Sequence, residues 1–245
     1  MSESTPAISC VINGHREGSL IYRSLKSARR TIDYTRACGL EVELIVVLDR
    51  PDEDTQQVVD RELREDGNLH IVDFGDTAKS RNHGVGVAQG RYIAFLDGDD
   101  LWCRSWLVDA YLLCLNHSSE TVIHPEFSVY FGNEHAHTLH HVDMESSGFE
   151  SEYFLRQNYW TALAFAARQT YLETPYRPSA LANGFGFEDW TWNYDLIQRG
   201  VIHKIAPGAS HFIRWGKTTH SVLTSENGGN SVPRVLELYR EDRAA

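Results

Sequence analysis

Long apolar runs are missing from this sequence of 245 residues, because no stretch approaches the roughly 20 residues that span a bilayer. Residues 1–6 form a short polar segment in which no signal peptide is visible. The four cysteines, Cys10, Cys38, Cys103 and Cys114, lack both the paired spacing of a zinc site and the pattern of a secreted disulfide framework. The sequence therefore predicts a cytoplasmic protein without a membrane span.

Basic residues are also scarce, since 23 Lys and Arg stand against 34 Asp and Glu, for a formal net charge of -11. A surface of this sign disfavours nucleic acid or an anionic membrane as the main partner. A hydrophobic content of 42% is adequate for a large core. No internal repeat or linker is visible, so we expect one domain over residues 1–245.

Short apolar runs alternate with segments of helical period in the first half of the chain. Strands are predicted at residues 8–12, 42–48, 69–74 and 92–96, with helices between them. This alternation predicts an α/β fold whose mostly parallel sheet carries helices on both faces. The second half is mixed, with short strands predicted near 121–124, 128–131, 162–167, 203–205 and 211–215, and helices over 105–116 and 188–199.

Three acids follow the fourth predicted strand, where Asp97, Asp99 and Asp100 surround Gly98. Ligands of open α/β sheets bind at the ends of the strands. Clustered carboxylates repel one another unless a cation joins them, and a divalent ion that bridges to phosphate oxygens suits such a cluster. A solvated Asp-Gly turn is the simpler alternative.

Four segments in order resemble family 2 glycosyltransferases with the GT-A fold. They are ISCVINGHRE at 8–17, ELIVVLD at 43–49, AKSRNHGVGVAQGRYIAFLDGDDLW at 78–102 and GFEDW at 186–190. The resemblance implies a metal-dependent enzyme that moves a sugar from a nucleotide diphosphate donor to a hydroxyl acceptor with inversion.

The resemblance further implies a division of labour along the chain. Residues 1–116 would bind the nucleotide sugar, with UDP- or dTDP-sugars favoured, and residues 117–245 would bind the acceptor and supply the base. The acceptor would be a carbohydrate or a lipid-linked glycan in polysaccharide or glycoconjugate synthesis. Homo-oligomer formation stays open.

The resemblance assigns Asp99 as the ligand of Mn²⁺ or Mg²⁺, with Asp97 supporting it. Asp49 would contact the N–H of a uracil or thymine ring, and Gly14 would lie against the base or ribose. Asp49 could instead cap a nearby backbone. Because Arg50 follows it where the family usually has a small residue, the identity of the base is open.

Cations cluster at the start of the third predicted helix, where Lys79 and Arg81 precede Asn82. Positive charge near a helix N-terminus is locally unfavourable, which indicates an anionic neighbour. A diphosphate or the acidic loop would serve, with Arg214 as a further diphosphate contact. A salt bridge within the chain is the alternative, above all for Lys79.

Glu188 and Asp189 begin a later helix, a position that the helix dipole favours for acids in any case. The resemblance assigns Asp189 as the general base and leaves Glu188 to orient the site or contact the acceptor. A histidine after the penultimate strand would complete the metal site, with His220 preferred to His211. Trp190 and Trp192 follow the acids, and sugar stacking and core packing are equally open for them.

Six of the 12 histidines lie between residues 117 and 141. They lack regular ligand spacing, so we expect exposed histidines of an acceptor-side insertion. They are His117, His124, His135, His137, His140 and His141.

Two other functions fit parts of the sequence. A sugar-1-phosphate nucleotidyltransferase would open with a Gly-rich, Arg-containing loop, which residues 13–18 imitate loosely. A non-catalytic sugar-nucleotide or glycan-binding module would keep Asp49 and Asp99 but would have no use for Asp189.

Overall fold

The structure, a computed structural model, describes residues 5–63, 67–117, 120–132, 136–179, 183–215 and 232–244. Its strands are β1 (Ile8–Gly14), β2 (Val42–Asp49), β3 (Asn68–Val72), β4 (Tyr92–Asp97), β5 (Leu101–Trp102), β6 (Thr121–Phe131), β7 (His137–His140), β8 (Phe165–Ala167), β9 (Phe185–Gly186), β10 (Ile202–Arg214) and β11 (Val232–Pro233). Its helices are α1 (Ile21–Ala37), α2 (Glu53–Leu63), α3 (Thr77–Val87), α4 (Trp106–Leu115), α5 (Ser151–Phe154), α6 (Arg168–Glu173), α7 (Glu188–Gln198) and α8 (Val235–Ala244). None of the helices in these ranges is long and apolar enough to cross a membrane.

The first four strands of the main sheet are parallel to one another and lie in the order β3-β2-β1-β4. The chain runs outward from β1 to β3 and then returns to place β4 on the other side of β1. Asn13 at the end of β1 lies in register with Asp97 at the end of β4, so the acidic loop begins next to the end of β1. Ligands of doubly wound sheets bind where the strand order reverses, as it does here between β1 and β4.

Helices cover both faces of this sheet, as the alternation of the sequence predicts. Cys10 and Ile12 face the core under α1, α2 and α4, whereas Val11 faces the core under α3, α6 and α7. This alternation follows from the two-residue period of side chains along a strand. Cys10 and Cys114 are buried in the first of these cores.

The same sheet continues into the second half of the chain. β8 pairs antiparallel with both β4 and β6, and β10 pairs parallel with β6 and antiparallel with the edge strand β5. Four short strands predicted here are wrong in extent, since β6 and β10 are each continuous. The pairing of β10 with β6 shifts in register between Ala206 and Ser210, so β10 stays continuous through its turn-forming residues. At this shift the Gly208 N–H donates to the Glu126 carboxylate (2.7 Å).

A further strand, β7, pairs antiparallel with β6. Phe127 of β6 stacks on His140 of β7, and Tyr130 of β6 stacks on His137 of β7. Such cross-strand pairs stabilise a short edge strand. The polar sequence of β7 does not by itself indicate a strand, because the rings that pack against it belong to β6.

Candidate active site

The acids that follow β4 form a tight loop at the carboxyl end of the parallel strands. The Asp100 N–H donates to the Asp97 carbonyl (3.1 Å), which closes the turn around Gly98. The buried Asp100 carboxylate accepts from the Arg214 N–H (2.7 Å), so Asp100 ties the loop to β10. Burial and the charges of Asp99 and Asp97 hold the pKa of Asp100 well above its ordinary value.

Asp99 is the acid of this loop best suited to a cation. Burial, reinforced by the charge of Asp97, raises its pKa to about 7, and the positive charge of Arg214 opposes that rise. No described ion pair uses Asp99, whereas Asp97 pairs with Arg81. Two half-buried carboxylates fit a hard divalent ion that takes its remaining ligands from phosphate and water.

The protein supplies few further ligands within the described part of the chain, where no three His, Cys, Asp or Glu side chains are grouped to hold an ion. The preferred histidine ligand, His220, lies outside the described residues. The alternative, His211, is wholly buried, with its ring against the edge of Trp106 at 4.6 Å between centroids. His211 therefore belongs to the core.

Glu17 adds a fourth carboxylate beside the three of the acidic loop. A Cβ atom added to Gly98 would lie 3.0 Å from the Glu17 carboxyl carbon. Burial raises the pKa of Glu17 to about 7, the charges of Asp99 and Asp97 add to the rise, and hydrogen bonds from the His15 N–H oppose it. The sequence places Glu17 in the loop after the first strand but does not indicate that this side chain lies beside the acidic loop.

Arg81 connects the acidic loop to the start of α7. Its side chain is 2% exposed, and its Nη2 donates to Asp97 Oδ1 (2.9 Å) while its Nε donates to Glu188 Oε1 (3.3 Å). The rings of Phe95 and Tyr176 flank the guanidinium at 5.5 and 5.8 Å. Arg81 thus meets the acidic loop, one of the two anionic neighbours expected for it, and it also pairs with Glu188 at the start of α7.

Asp189 follows Glu188 in the first turn of α7. Burial and the neighbouring Glu188 charge raise the pKa of Asp189 to about 7, and Arg81 opposes the rise. Asn158 Nδ2 donates to Asp189 Oδ2 at 3.4 Å, and Asn158 Oδ1 accepts from Asn193 at 3.4 Å. A general base needs such a pKa near the working pH. Sequence reasoning missed Asn158 because no motif surrounds it.

The backbone just before α7 adopts an unusual conformation. Phe187 has φ 59° and ψ 59°, in the left-handed region, and caps the helix without glycine. This conformation costs an ordinary residue about 1–2 kcal/mol. It sets the direction in which Glu188 and Asp189 enter the site, and backbone strain of this kind clusters at functional sites.

Asp49 directs its carboxylate to the backbone of the loop after β3. Its Oδ1 accepts from the N–H groups of Phe74 (2.8 Å) and Gly75 (3.0 Å), and its Oδ2 accepts from the Asp76 N–H (3.0 Å) and Ser80 Oγ (2.9 Å). These bonds fill the roughly four acceptor positions of a carboxylate. The backbone-capping alternative is therefore what the structure shows, and a base could bind Asp49 only by displacing one of these donors.

Three other predicted donor-site residues serve the protein itself or face solvent. A Cβ atom at Gly14 would lie 2.7 Å from Leu48 Cδ2, so packing explains this glycine without a ribose. Asn82 exchanges two hydrogen bonds with the backbone of Tyr176 (2.8 and 2.9 Å) and is a structural clamp instead of the predicted donor contact. Lys79 is exposed at the start of α3.

The two tryptophans after the acids pack into the protein. Trp192 is 1% exposed and stacks on Tyr171 at 4.8 Å, so it is a core residue. Trp190 is half-buried, and its indole N–H donates to the Phe154 carbonyl (3.0 Å). Both observations favour packing over sugar stacking.

A different aromatic group lies beside the acids. Tyr130 stacks on His137 at 4.4 Å and meets the edge of Trp215 at 5.5 Å. Burial raises the pKa of Tyr130 to about 12, and the charges of Asp189 and Asp100 contribute, so its ring lies near both acids. Sequence reasoning missed this group because Trp215 is 85 positions away from Tyr130 in the chain.

The expectation of exposed histidines is half right. His137 and His140 are exposed, as is His117, and His135 lies outside the described residues. His124 and His141 are instead buried, and His124 Nε2 is 2.9 Å from His203 Nδ1. Burial lowers the pKa of both, and it also lowers the pKa of the buried His203 and His211.

Comparison with known proteins adds to this geometry. The model of the family described as glycosyl transferase family 2 matches residues 9–171, about two thirds of the chain. The chain belongs to this family. The match includes Arg81 and the acidic loop of this family 2 glycosyltransferase, whereas Glu188 and Asp189 lie beyond it.

Individual relatives agree. TuaG of Bacillus subtilis, named as a teichuronic acid biosynthesis glycosyltransferase, is 36% identical over 68 residues, which are 26% of this chain and 27% of TuaG. The 1–349 fragment of S. aureus TarS, solved with UDP-GlcNAc, superimposes with a TM-score of 0.67 at 17% identity, over 87% of this chain and 60% of that one. The mannosyltransferase PcManGT from Pyrobaculum calidifontis, solved with GDP-Man and Mn²⁺, gives a TM-score of 0.60 at 16% identity, over 89% of this chain and 59% of that one. These structures share the fold, and this chain spans about 60% of their length.

Proposed function

We propose that this family 2 glycosyltransferase transfers a sugar from a nucleoside diphosphate, with UDP or dTDP favoured, to a hydroxyl of a glycan or lipid-linked acceptor. The observation that carries the proposal is the Arg81 bridge. It holds Asp97 and Glu188, 91 positions apart in the chain, on one guanidinium. The acidic loop and the neighbour of Glu188, Asp189, whose pKa is raised to about 7, therefore share one site.

On the donor side, Asp99 is the proposed ligand of Mn²⁺ or Mg²⁺, with Asp97 beside it. Such an ion, when bound, would hold the diphosphate oxygens and offset the charge that develops on the leaving group. Arg214, whose charge lowers the pKa of Asp99, would add a fixed positive charge to the same diphosphate. The TarS complex with UDP-GlcNAc supports a nucleotide-sugar donor by analogy, and the PcManGT complex with GDP-Man and Mn²⁺ supports both such a donor and a divalent ion.

On the acceptor side, Asp189 is the proposed general base. It takes the proton from the acceptor hydroxyl as that oxygen forms a bond to the anomeric carbon. The bond from that carbon to the diphosphate oxygen breaks, the diphosphate leaves with the electron pair, and the anomeric centre inverts. Asn158 orients the Asp189 carboxylate, and Glu188 fixes the helix start through Arg81.

Arg81 has a second effect on this chemistry. Its charge opposes the rise in the pKa of Asp189, so part of the Asp189 population stays ionised near neutral pH. A base with a pKa close to the working pH combines ionisation with proton affinity. The bridge thus positions the site and tunes its base.

The product of the reaction tests this proposal against its nearest rival. The protein is incubated with UDP-, dTDP- and GDP-sugars, a mixture of glycan acceptors, and Mn²⁺, Mg²⁺ or EDTA. We expect release of a nucleoside diphosphate that EDTA abolishes and that an acceptor accelerates. Release of pyrophosphate from a nucleoside triphosphate and a sugar 1-phosphate would instead identify a nucleotidyltransferase. Donor binding without release of either product would indicate a non-catalytic module.

A further inference from the structure

A basic groove lies between α1 and the edge of the sheet formed by β5 and β10. It is an open cleft of about 590 Å³. Four cationic side chains line it, three from α1 and one from β10: Arg23, Lys26, Arg30 and Arg214. Among the described residues, no Asp or Glu lines the groove, although the whole chain carries a net charge of -11.

The cations of α1 form an ordered row. Arg23, Lys26 and Arg30 are three and then four residues apart, so they share one helix face and span about 10 Å along its axis. All three are exposed, and none of the ion pairs found in the described ranges includes them. Like charges at these spacings destabilise a helix. An anionic ligand with several charges would relieve the repulsion.

The wall of the groove supplies unused hydrogen-bond donors. Trp102 is 5% exposed, and its indole N–H has no hydrogen-bond partner in the described part of the protein. The Nε atom of Arg214 is also buried and lacks a described partner. Both atoms belong to residues that line the groove, and buried donors without acceptors are costly.

We propose that this groove, lined by Arg23, Lys26, Arg30, Trp102 and Arg214, binds an anionic glycan chain through its phosphate or carboxylate groups. A concave cleft fits a single chain better than it fits a flat lipid surface, and its cations form a row of the kind that repeated charges can follow.

The position of the groove relates it to the site. Trp102 follows the acidic loop by two residues, and Arg214 both lines the groove and acts on Asp99. A glycan chain bound along α1 would thus lie next to the acidic loop. The idea that the groove holds the acceptor or the product rests on the proposed function, whereas the binding of an anionic glycan does not.

A direct binding measurement tests the groove. A fluorescein-labelled oligogalacturonate of about ten sugars, which carries one carboxylate per sugar, is titrated with the protein at several salt concentrations. Its uncharged counterpart, a labelled galactan oligomer, serves as the ligand control. We expect the oligogalacturonate to bind and its dissociation constant to rise by about tenfold or more in Arg23→Gln/Lys26→Gln/Arg30→Gln. The slope of log affinity against log salt should become shallower by about two.

A matched variant separates the groove from net charge. Arg61→Gln/Arg91→Gln/Arg240→Gln removes the same charge from exposed positions elsewhere. Equal weakening in both triple variants would overturn the proposal. So would binding to phosphatidylglycerol vesicles without binding to oligogalacturonate, because the groove would then serve a lipid surface. UDP binding at the wild-type level in the groove variant distinguishes a failure of the groove from a failure of the transferase.

Discussion

Replacing Arg81 by methionine removes the charge that joins the two halves of the site while keeping an unbranched side chain. The Arg81 side chain is 2% exposed and pairs with two acids, Asp97 and Glu188. Breaking a buried ion pair by removing one partner costs about 3–5 kcal/mol, because the remaining charge is left uncompensated. We expect a loss of that size in the free energy of unfolding of Arg81→Met at pH 8.

The loss should shrink at lower pH. Arg81 opposes the rise in the pKa of the buried Asp189, so without Arg81 that pKa rises further above its value in the unfolded chain. Folding then gains stability as the pH falls through the raised folded pKa of Asp189, and the variant recovers part of its deficit. Guanidinium titrations at pH 8 and pH 5.5, followed by tryptophan fluorescence, measure this difference.

The same variant should change the pH dependence of turnover. Arg81 lowers the pKa of Asp189, so its removal raises that pKa above about 7. The acidic limb of the rate profile should move to higher pH, and a move of one pH unit corresponds to about 1.4 kcal/mol. At pH 7 the variant then has less of the ionised base and a lower kcat.

Arg177→Met is the matched control, since Arg177 pairs with Asp195 at 2.7 Å on the same helix α7, with 48% of its side chain exposed. A surface pair of this kind contributes about 0–1 kcal/mol. If Arg81→Met loses no more stability than Arg177→Met at pH 8 and leaves the acidic limb in place, Arg81 neither joins the two halves of the site nor tunes the base.

Three further predictions concern other residues. Asp99→Asn should weaken Mn²⁺-dependent UDP binding about tenfold or more, and calorimetric titration in Mn²⁺ and in EDTA would contradict the ligand role if it gave equal affinities. Asp49→Asn should lower the free energy of unfolding by about 1–3 kcal/mol, because its new amide faces backbone donors, and urea denaturation that showed no change would remove the capping role. Burial lowers the pKa of His203 from 6.5 to about 3, so folding loses stability as the pH falls below 6.5, by about 2 kcal/mol at pH 5. His203→Gln should lose that much less than the wild type between pH 7 and pH 5 in urea titrations, and an unchanged difference would show that His203 is neutral in both states.

Much of the first half can be predicted from the sequence because its signals are local. The apolar runs of β1, β2 and β4 are short, lie between turn residues, and alternate with helices of clear period. The acidic loop follows directly from the position of Asp97 at the end of β4. The pair Glu188 and Asp189 is recognisable from its own neighbours in the chain.

The roles of Arg81, Asn82 and Asp49 depend on partners that the sequence does not reveal. Glu188 is 107 positions from Arg81, and Tyr176 is 94 positions from Asn82. A cation or amide near a helix start predicts an anion or acceptor nearby, but it does not say whether the protein or a ligand supplies it. In each of these cases the described structure supplies the partner from the protein.

The buried histidines show a second limit. His124 lies on β6, which is enclosed between β8 and β10, so its side chain enters the core. The strand order that encloses it depends on pairings between distant segments. Asn158 and Tyr130 escape notice for the same reason, since only the folded chain places them near Asp189.

The proposed mechanism depends above all on Asp189 acting as the base opposite the donor loop. Turnover of the preferred donor is compared between the wild type and Asp189→Asn, with donor affinity determined on the same samples. Turnover should fall by about 10²–10⁴-fold while donor affinity stays close to that of the wild type. Unchanged turnover in Asp189→Asn would show that another group takes the proton.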